Sequence, residues 1–253
     1  YKRQRMDHRP EPAVRGQPVD ALPDLEEPVG QGGGRPAARR GGPPRELGGD
    51  AAIDAHRLLE IWDRVDRLSA DGRLGSVIHA SFRLINGPPG RYRTLHRVPW
   101  MLDPAIGGGG ALRNLGMHGA DAILRLARGG EPRLHAARVT AHGHGEAVDE
   151  YATALATLPG GAIAQMEAGY SWAPPTGGDF EWRIAATGAY LQQTKGRLVL
   201  RAADGTVETL DTPQPSYQPM VERVLADFAA GRPPFATLGE CAAATALCDR
   251  IYE

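Results

Sequence analysis

The sequence predicts an α+β domain built on a mainly antiparallel, open β-sheet with helices on one face. Three observations lead there. Short runs of alternating apolar and polar residues dominate the chain beyond Pro132, and helix-period runs flank them on both sides. The order is helix, strand, helix, several strands, then helices, not the strict strand–helix alternation of a parallel sheet.

The elements are taken in order. The first fifty residues hold nine Gly and eight Pro, a share above the roughly 25–30% that marks low complexity. RPAARRGGPP (Arg35 to Pro44) has no helical or strand period, and apolar residues are too sparse to offset chain entropy. Residues 1–50 are therefore read as a low-complexity segment, disordered or mis-framed from a GC-rich gene, and 51–253 as the domain. From Ala51 the text changes. Leu58, Ile61, Val65 and Leu68 recur at helical spacing, and Gly72 and Gly75 mark the exit. In SVIHASFRL, Ile78, Ala80, Phe82 and Leu84 alternate with Val77, His79, Ser81 and Arg83, as in a half-buried strand. NGPPG (Asn86 to Gly90) is a loop. The glycine run Gly107 to Gly110 delivers a helix from Ala111 to about Ala127, striped by Leu112, Leu115, Ile123 and Leu126.

Beyond Pro132, RLHAARVTA, EYATALATL and GAIAQMEAGYSW read as strands, and LPGG (Leu158 to Gly161) as a hairpin turn. In the last of these, Ala162, Ala164, Met166, Ala168, Tyr170 and Trp172 share one face. FEWRIAAT, AYLQQ, RLVLRA and TVETL continue the sheet. Two helices, from about Gln218 and about Gly239, close the chain.

Composition excludes some classes. With a formal charge of −1 the chain has no electrostatic case for nucleic acid or an anionic membrane. No apolar run approaches the roughly 18 residues of a membrane helix, and the N-terminus has no signal-peptide apolar core. Cys241 and Cys248 lie about 10 Å apart along one predicted helix, too far for a disulfide, so a reduced, cytoplasmic protein is the simplest reading. His142 and His144 lack a third ligand nearby, and no metal is expected.

The helix after Gly110 carries the densest chemistry. Asn114, His118, Asp121 and Arg125 follow i, i+4, i+7, i+11 spacing and form one polar line. An imidazole flanked by an amide and a carboxylate can be held in one tautomer, as a general acid/base requires. On spacing alone, a solvated helix face accounts for the same residues and is the more common case. The glycine run lacks a Walker lysine and no strand leads into it, and the GxGxxA string at Gly32, Gly34 and Ala37 follows no apolar strand.

GGGALRNLGMHGADAILRLA (Gly108 to Ala127) resembles the signature helix of the Gfo/Idh/MocA oxidoreductases, in which GGG-x-L-x-D-x-G-x-H-x-x-D opens the C-terminal domain. WDRVDRLSADGRLGSVIHASFR, WMLDPAIGGGG, AVDEYATALATLPGGAIAQMEAGYSWAPP, AATGAYLQQ and YQPMVERVLADFAAGRPPF agree with the family in order, across about residues 62–253. The resemblance implies a glyceraldehyde-3-phosphate-dehydrogenase-like domain and hydride transfer between NAD or NADP and a sugar, polyol or similar hydroxy compound. It implies His118 as general acid/base and Asp121 as a structural or His-orienting residue. Asn114 stands where the family often has Asp, and can hydrogen-bond a hydroxyl but not take its proton. Arg83, Tyr92, Trp100 and Trp172 are candidate substrate contacts, being polar or aromatic. The family's sheet commonly forms homo-oligomers through its open face, with Tyr170 and Trp172 as candidates here. The family's N-terminal Rossmann domain is missing or degenerate in this sequence, so the chain is expected not to bind dinucleotide alone. The competing reading is a non-catalytic oligomerisation or substrate-binding scaffold.

Overall fold

The computed structural model describes residues 57, 59–141, 143–171, 178–212, 217–232 and 236–253. The expectations for residues 1–50 and for Trp172 and His142 fall outside them. Among the described residues there are six α-helical segments and eight strands. Helix α1 (Glu60–Ala70) leads into β1 (Val77–Asn86). Two short helical turns, α2 (Arg91–Thr94) and α3 (Pro104–Gly107), flank a tighter turn at Pro99–Leu102. A wide turn at Leu112–Gly116, closed by i→i+5 bonds, then runs into α4 (Met117–Ala127). Strands β2 (Arg133–Ala141), β3 (Asp149–Thr157), β4 (Ile163–Tyr170), β5 (Asp179–Ala186), β6 (Ala189–Thr194), β7 (Arg197–Ala202) and β8 (Val207–Asp211) come next. Helices α5 (Tyr217–Ala229) and α6 (Leu238–Tyr252) end the chain.

The strands form one sheet in the order β2-β3-β4-β1-β5-β6-β7-β8. Its pairs are antiparallel except β1 with β4. This is the mixed, mostly antiparallel open sheet that the alternation predicts. Helices α1 and α4 pack on the face formed by Ala80, Phe82, Ala164, Met166, Ala168, Trp182 and Ile184, all buried. Trp62 of α1 meets Phe82 and Trp182 at ring-centroid distances of 6.3 and 5.7 Å, the second pair edge to face. Alanines at 152, 154, 156, 164 and 168 keep the sheet surface low. That lets α4 lay its backbone down at Gly119, where a side chain would press on Met166 and Phe82.

One alternation expectation needs correction. The alternation points Ile78 inward, but it is 55% exposed, and Val77 packs toward the core instead. A register shift between Val77 and His79 against β5 inserts an extra residue and flips the side on which the strand begins. Tyr170 also departs from expectation. It lies on the helix-covered face, 3% exposed, so it is not part of an open association surface.

On the opposite face, Glu181 accepts from Arg83 (3.2 Å), Arg183 (2.8 Å) and Gln192, and Arg83 also meets Asp179 at 3.0 Å. Glu181, Arg83 and Arg183, with His79, Ser81 and Glu167, line a depression of about 300 Å³. Burial alone would raise the Glu181 carboxyl. Hydrogen bonds from Gln192 and Arg183 and the nearby guanidinium charges outweigh it and hold the group below its ordinary value. A carboxyl depressed on folding adds stability above its unfolded value and loses it as pH falls through the folded one. The urea midpoint should therefore drop as pH falls through and below the ordinary carboxylate range, and Glu181→Gln should remove part of that drop. An identical pH profile in the variant would show that the network contributes nothing.

Candidate active site around Asn114 and His118

The site begins at the glycine run. Asp103 caps α3 by accepting from Ala105 N–H at 2.9 Å, and Gly108 turns the chain with φ of 73°. Gly109 and Gly110 then pass so close to neighbours that side chains would not fit: a Cβ would strike the Tyr252 hydroxyl at the first and the Asp149 backbone at the second. The Asp149 carboxylate accepts from Gly110 N–H (2.5 Å), Leu112 N–H (2.7 Å) and the Tyr252 hydroxyl (2.7 Å). It thereby caps the wide turn on which Asn114 sits.

Asn114 donates from its amide nitrogen to the hydroxyls of Tyr92 (2.6 Å) and Tyr170 (3.0 Å). Both tyrosines are 3% exposed, and their rings lie 5.3 Å apart. The amide nitrogen has two hydrogens, so it is fully used and the carbonyl oxygen is the atom left for a further partner. His118, on the first turn of α4, is buried, as is Asp121. The polar line is therefore not a solvated helix face. Both Asp121 oxygens accept from Arg57, one of them at 2.8 Å, and Arg57 also reaches Glu240 at 3.1 Å. Arg125 ends the line, paired with Asp66 and stacked 4.5 Å over Trp62.

The other candidates divide. Tyr92 joins Asn114. Trp100 lies on the Pro99–Leu102 turn and is half exposed. Arg83 lies on the opposite face of the sheet from His118, engaged with Asp179 and Glu181. The structure thus gathers Asn114, His118, Asp121 and Tyr92 on the helix-covered side and places Arg83 apart from them. Sequence reasoning did not single out Asp149, Tyr252 or Arg57. Asp149 left one faint trace: VDEY puts two adjacent acids at the start of a core strand, and both are buried.

Could these residues hold a dinucleotide? The amides that open the wide turn are already spent on a buried carboxylate, which would repel a pyrophosphate. The group does not fit here. Among the described residues no cluster of three or more His, Cys, Asp or Glu could hold a metal, and His144 is bonded to Glu150 at 2.9 Å. No disulfide joins Cys241 to Cys248. Burial pushes the Cys248 thiol up to about 12. No helix among the described residues is long and apolar enough to cross a membrane.

Comparison with known proteins gives a consistent set. The family model of the GFO/IDH/MocA C-terminal domain matches residues 62–192, just over half the chain. No curated protein matches by sequence. Among solved structures, the fold is similar to an aldose-aldose oxidoreductase from Caulobacter crescentus complexed with glycerol. That match has 20% identity and a TM-score of 0.60, over 78% of this chain and 59% of that one. It is also similar to an oxidoreductase from Agrobacterium radiobacter in complex with NAD+, L-tartaric acid and magnesium. Here the identity is 17% and the TM-score 0.63, over 79% and 60% of the two chains. A levoglucosan dehydrogenase in complex with NADH and levoglucosan matches at 16% identity and a TM-score of 0.63, over 79% and 62%. The chain thus covers about three fifths of the length of these structures.

Proposed function

This chain belongs to the GFO/IDH/MocA family through its C-terminal domain, and from that premise we propose that it is the substrate-binding and proton-transferring part of an NAD- or NADP-dependent oxidoreductase. The substrate is a sugar, polyol or similar small hydroxy compound, oxidised or reduced by hydride transfer at a carbinol carbon. The observation that carries this reading is the buried His118 one turn from a half-buried Asn114 whose amide is held by two tyrosine hydroxyls. His118 takes the proton of the reacting hydroxyl and returns it in the reverse direction. The Asn114 amide is neither an acid nor a base at working pH, and its carbonyl oxygen accepts a hydrogen bond from a hydroxyl.

The test assays the natural full-length protein, against a panel of sugars and polyols, for reduction of NAD+ or NADP+. His118→Gln should lower kcat by about 10²–10⁴-fold and leave cofactor affinity unchanged. A variant as active as the parent would remove His118 from the reaction. The chain alone should show no fluorescence titration with NADH or NADPH.

A second reading, an assembly module, is favoured by the open sheet face, where Leu155 and Ile163 are 39% and 51% exposed. It makes the chain a homo-oligomer through that face, whether or not it is catalytic. Sedimentation of the parent and of a Leu155→Lys, Ile163→Lys double variant checks it; equal mass in both would end it.

A further inference from the structure

Three segments far apart in the chain meet at the Asp149 carboxylate: the glycine run, the start of β3 and the last turn of α6. One oxygen accepts from Gly110 N–H and from the Tyr252 hydroxyl, the other from Leu112 N–H. A carboxylate only accepts, so the direction of all three bonds is fixed. The same last turn makes further contacts with residues just beyond the run. Arg113 pairs with Asp249, and its guanidinium lies 5.7 Å from the Tyr252 ring centre. Gly109 and Gly110 have the space for this convergence only because they lack Cβ atoms. Burial, together with the Asp149 carboxylate, holds the Tyr252 phenol well above its ordinary value, so it stays a donor at any working pH.

The wide turn Leu112–Gly116 comes directly after this junction. Such turns are rare and need support from outside the helix. In a regular helix each residue advances about 100°, which would set His118 about 40° past Asn114 around the axis. A wide turn holds more residues and advances less per residue, so the two side chains come closer to one line. If the turn relaxed to a regular helix, Asn114 would swing away from Tyr92 and Tyr170.

We propose that Asp149 and Tyr252 are positioning residues for the Asn114–His118 pair: the carboxylate, completed by the C-terminal hydroxyl, fixes the wide turn that brings the two side chains into line. This rests on reading Asn114 and His118 as the working pair. The experiment reads the geometry of the pair rather than activity, so the two ideas fail separately.

The experiment is NMR on the full chain with Tyr252→Phe and Asp149→Asn, following the Asn114 side-chain amide and the His118 ring protons. Signals are assigned by their loss in Asn114→Ala and His118→Gln. Tyr252→Phe keeps the ring over Arg113 and removes only the hydroxyl. It should speed exchange of the Asn114 side-chain amide protons about tenfold, the factor an ordinary lost hydrogen bond gives, and should move the His118 ring signals. Asp149→Asn should do the same more strongly. If Asp149→Asn does not fold, Tyr252→Phe decides alone. Unchanged Asn114 exchange and unchanged His118 shifts in Tyr252→Phe would overturn the proposal, including where Gly110 and Leu112 amide exchange alone accelerates, since the cap would then be a purely local contact.

Discussion

Gly110→Ala should destabilise the domain by roughly 3 kcal/mol, near the top of the range for overpacking a filled site. The added methyl would overlap the Asp149 backbone, which is anchored in the sheet through β3 and cannot retreat. The alternative is for the glycine run to move outward, which breaks the bonds from Gly110 and Leu112 N–H to a buried carboxylate and leaves that carboxylate poorly satisfied. The control is Gly239→Ala, at an exposed helical position where the added methyl would meet, among the described residues, the Thr237 hydroxyl at an ordinary 3.9 Å. It should raise stability by about 0.5–1 kcal/mol. Urea denaturation of both measures the contrast. Equal and small effects would show that the run is not tightly packed.

Arg57→Met should cost about 3–5 kcal/mol. The side chains of Arg57 and Asp121 are 7% and 6% exposed, so removing the guanidinium strands a buried carboxylate. Hydrogen bonding to Asp121 holds the Arg57 guanidinium above its ordinary value, and its charge is permanent. Glu240 loses a partner as well, though its capping box with Thr237 remains. The double variant Arg57→Met, Asp121→Leu should recover most of the loss, because an apolar pair needs no compensation. Denaturation of the two single variants and the double variant closes the cycle. A loss below about 1 kcal/mol in Arg57→Met would mean that the pair is solvated in solution.

The sheet is legible in the sequence because most strands follow a period of two and their turns carry Gly or Pro, both local properties of the text. Val77 and Ile78 escape that rule because a bulge is decided by the partner strand β5, which lies about a hundred residues on. The polar line at Asn114, His118 and Asp121 is legible from spacing, but its burial is not. Spacing cannot say whether a polar face meets water or Arg57, which is 64 positions away from Asp121. Asp149 and Tyr252 are illegible for the same reason. Their bonds span 39 and 103 positions, and neither residue belongs to a local pattern.

The position of β1 has a further consequence. Strands β2, β3 and β4 pair with sequence neighbours, and so do β5 to β8, so two blocks can assemble from local hairpins. β1 precedes both blocks in the chain yet lies between them, parallel to β4 on one side and antiparallel to β5 on the other. Without it each block keeps a bare edge of unpaired amides and carbonyls. Folding must therefore close long loops around β1, which makes joining of the two blocks the slow and aggregation-exposed step. Any piece of the chain that begins after β1 would hold two half-sheets with nothing to zip them together.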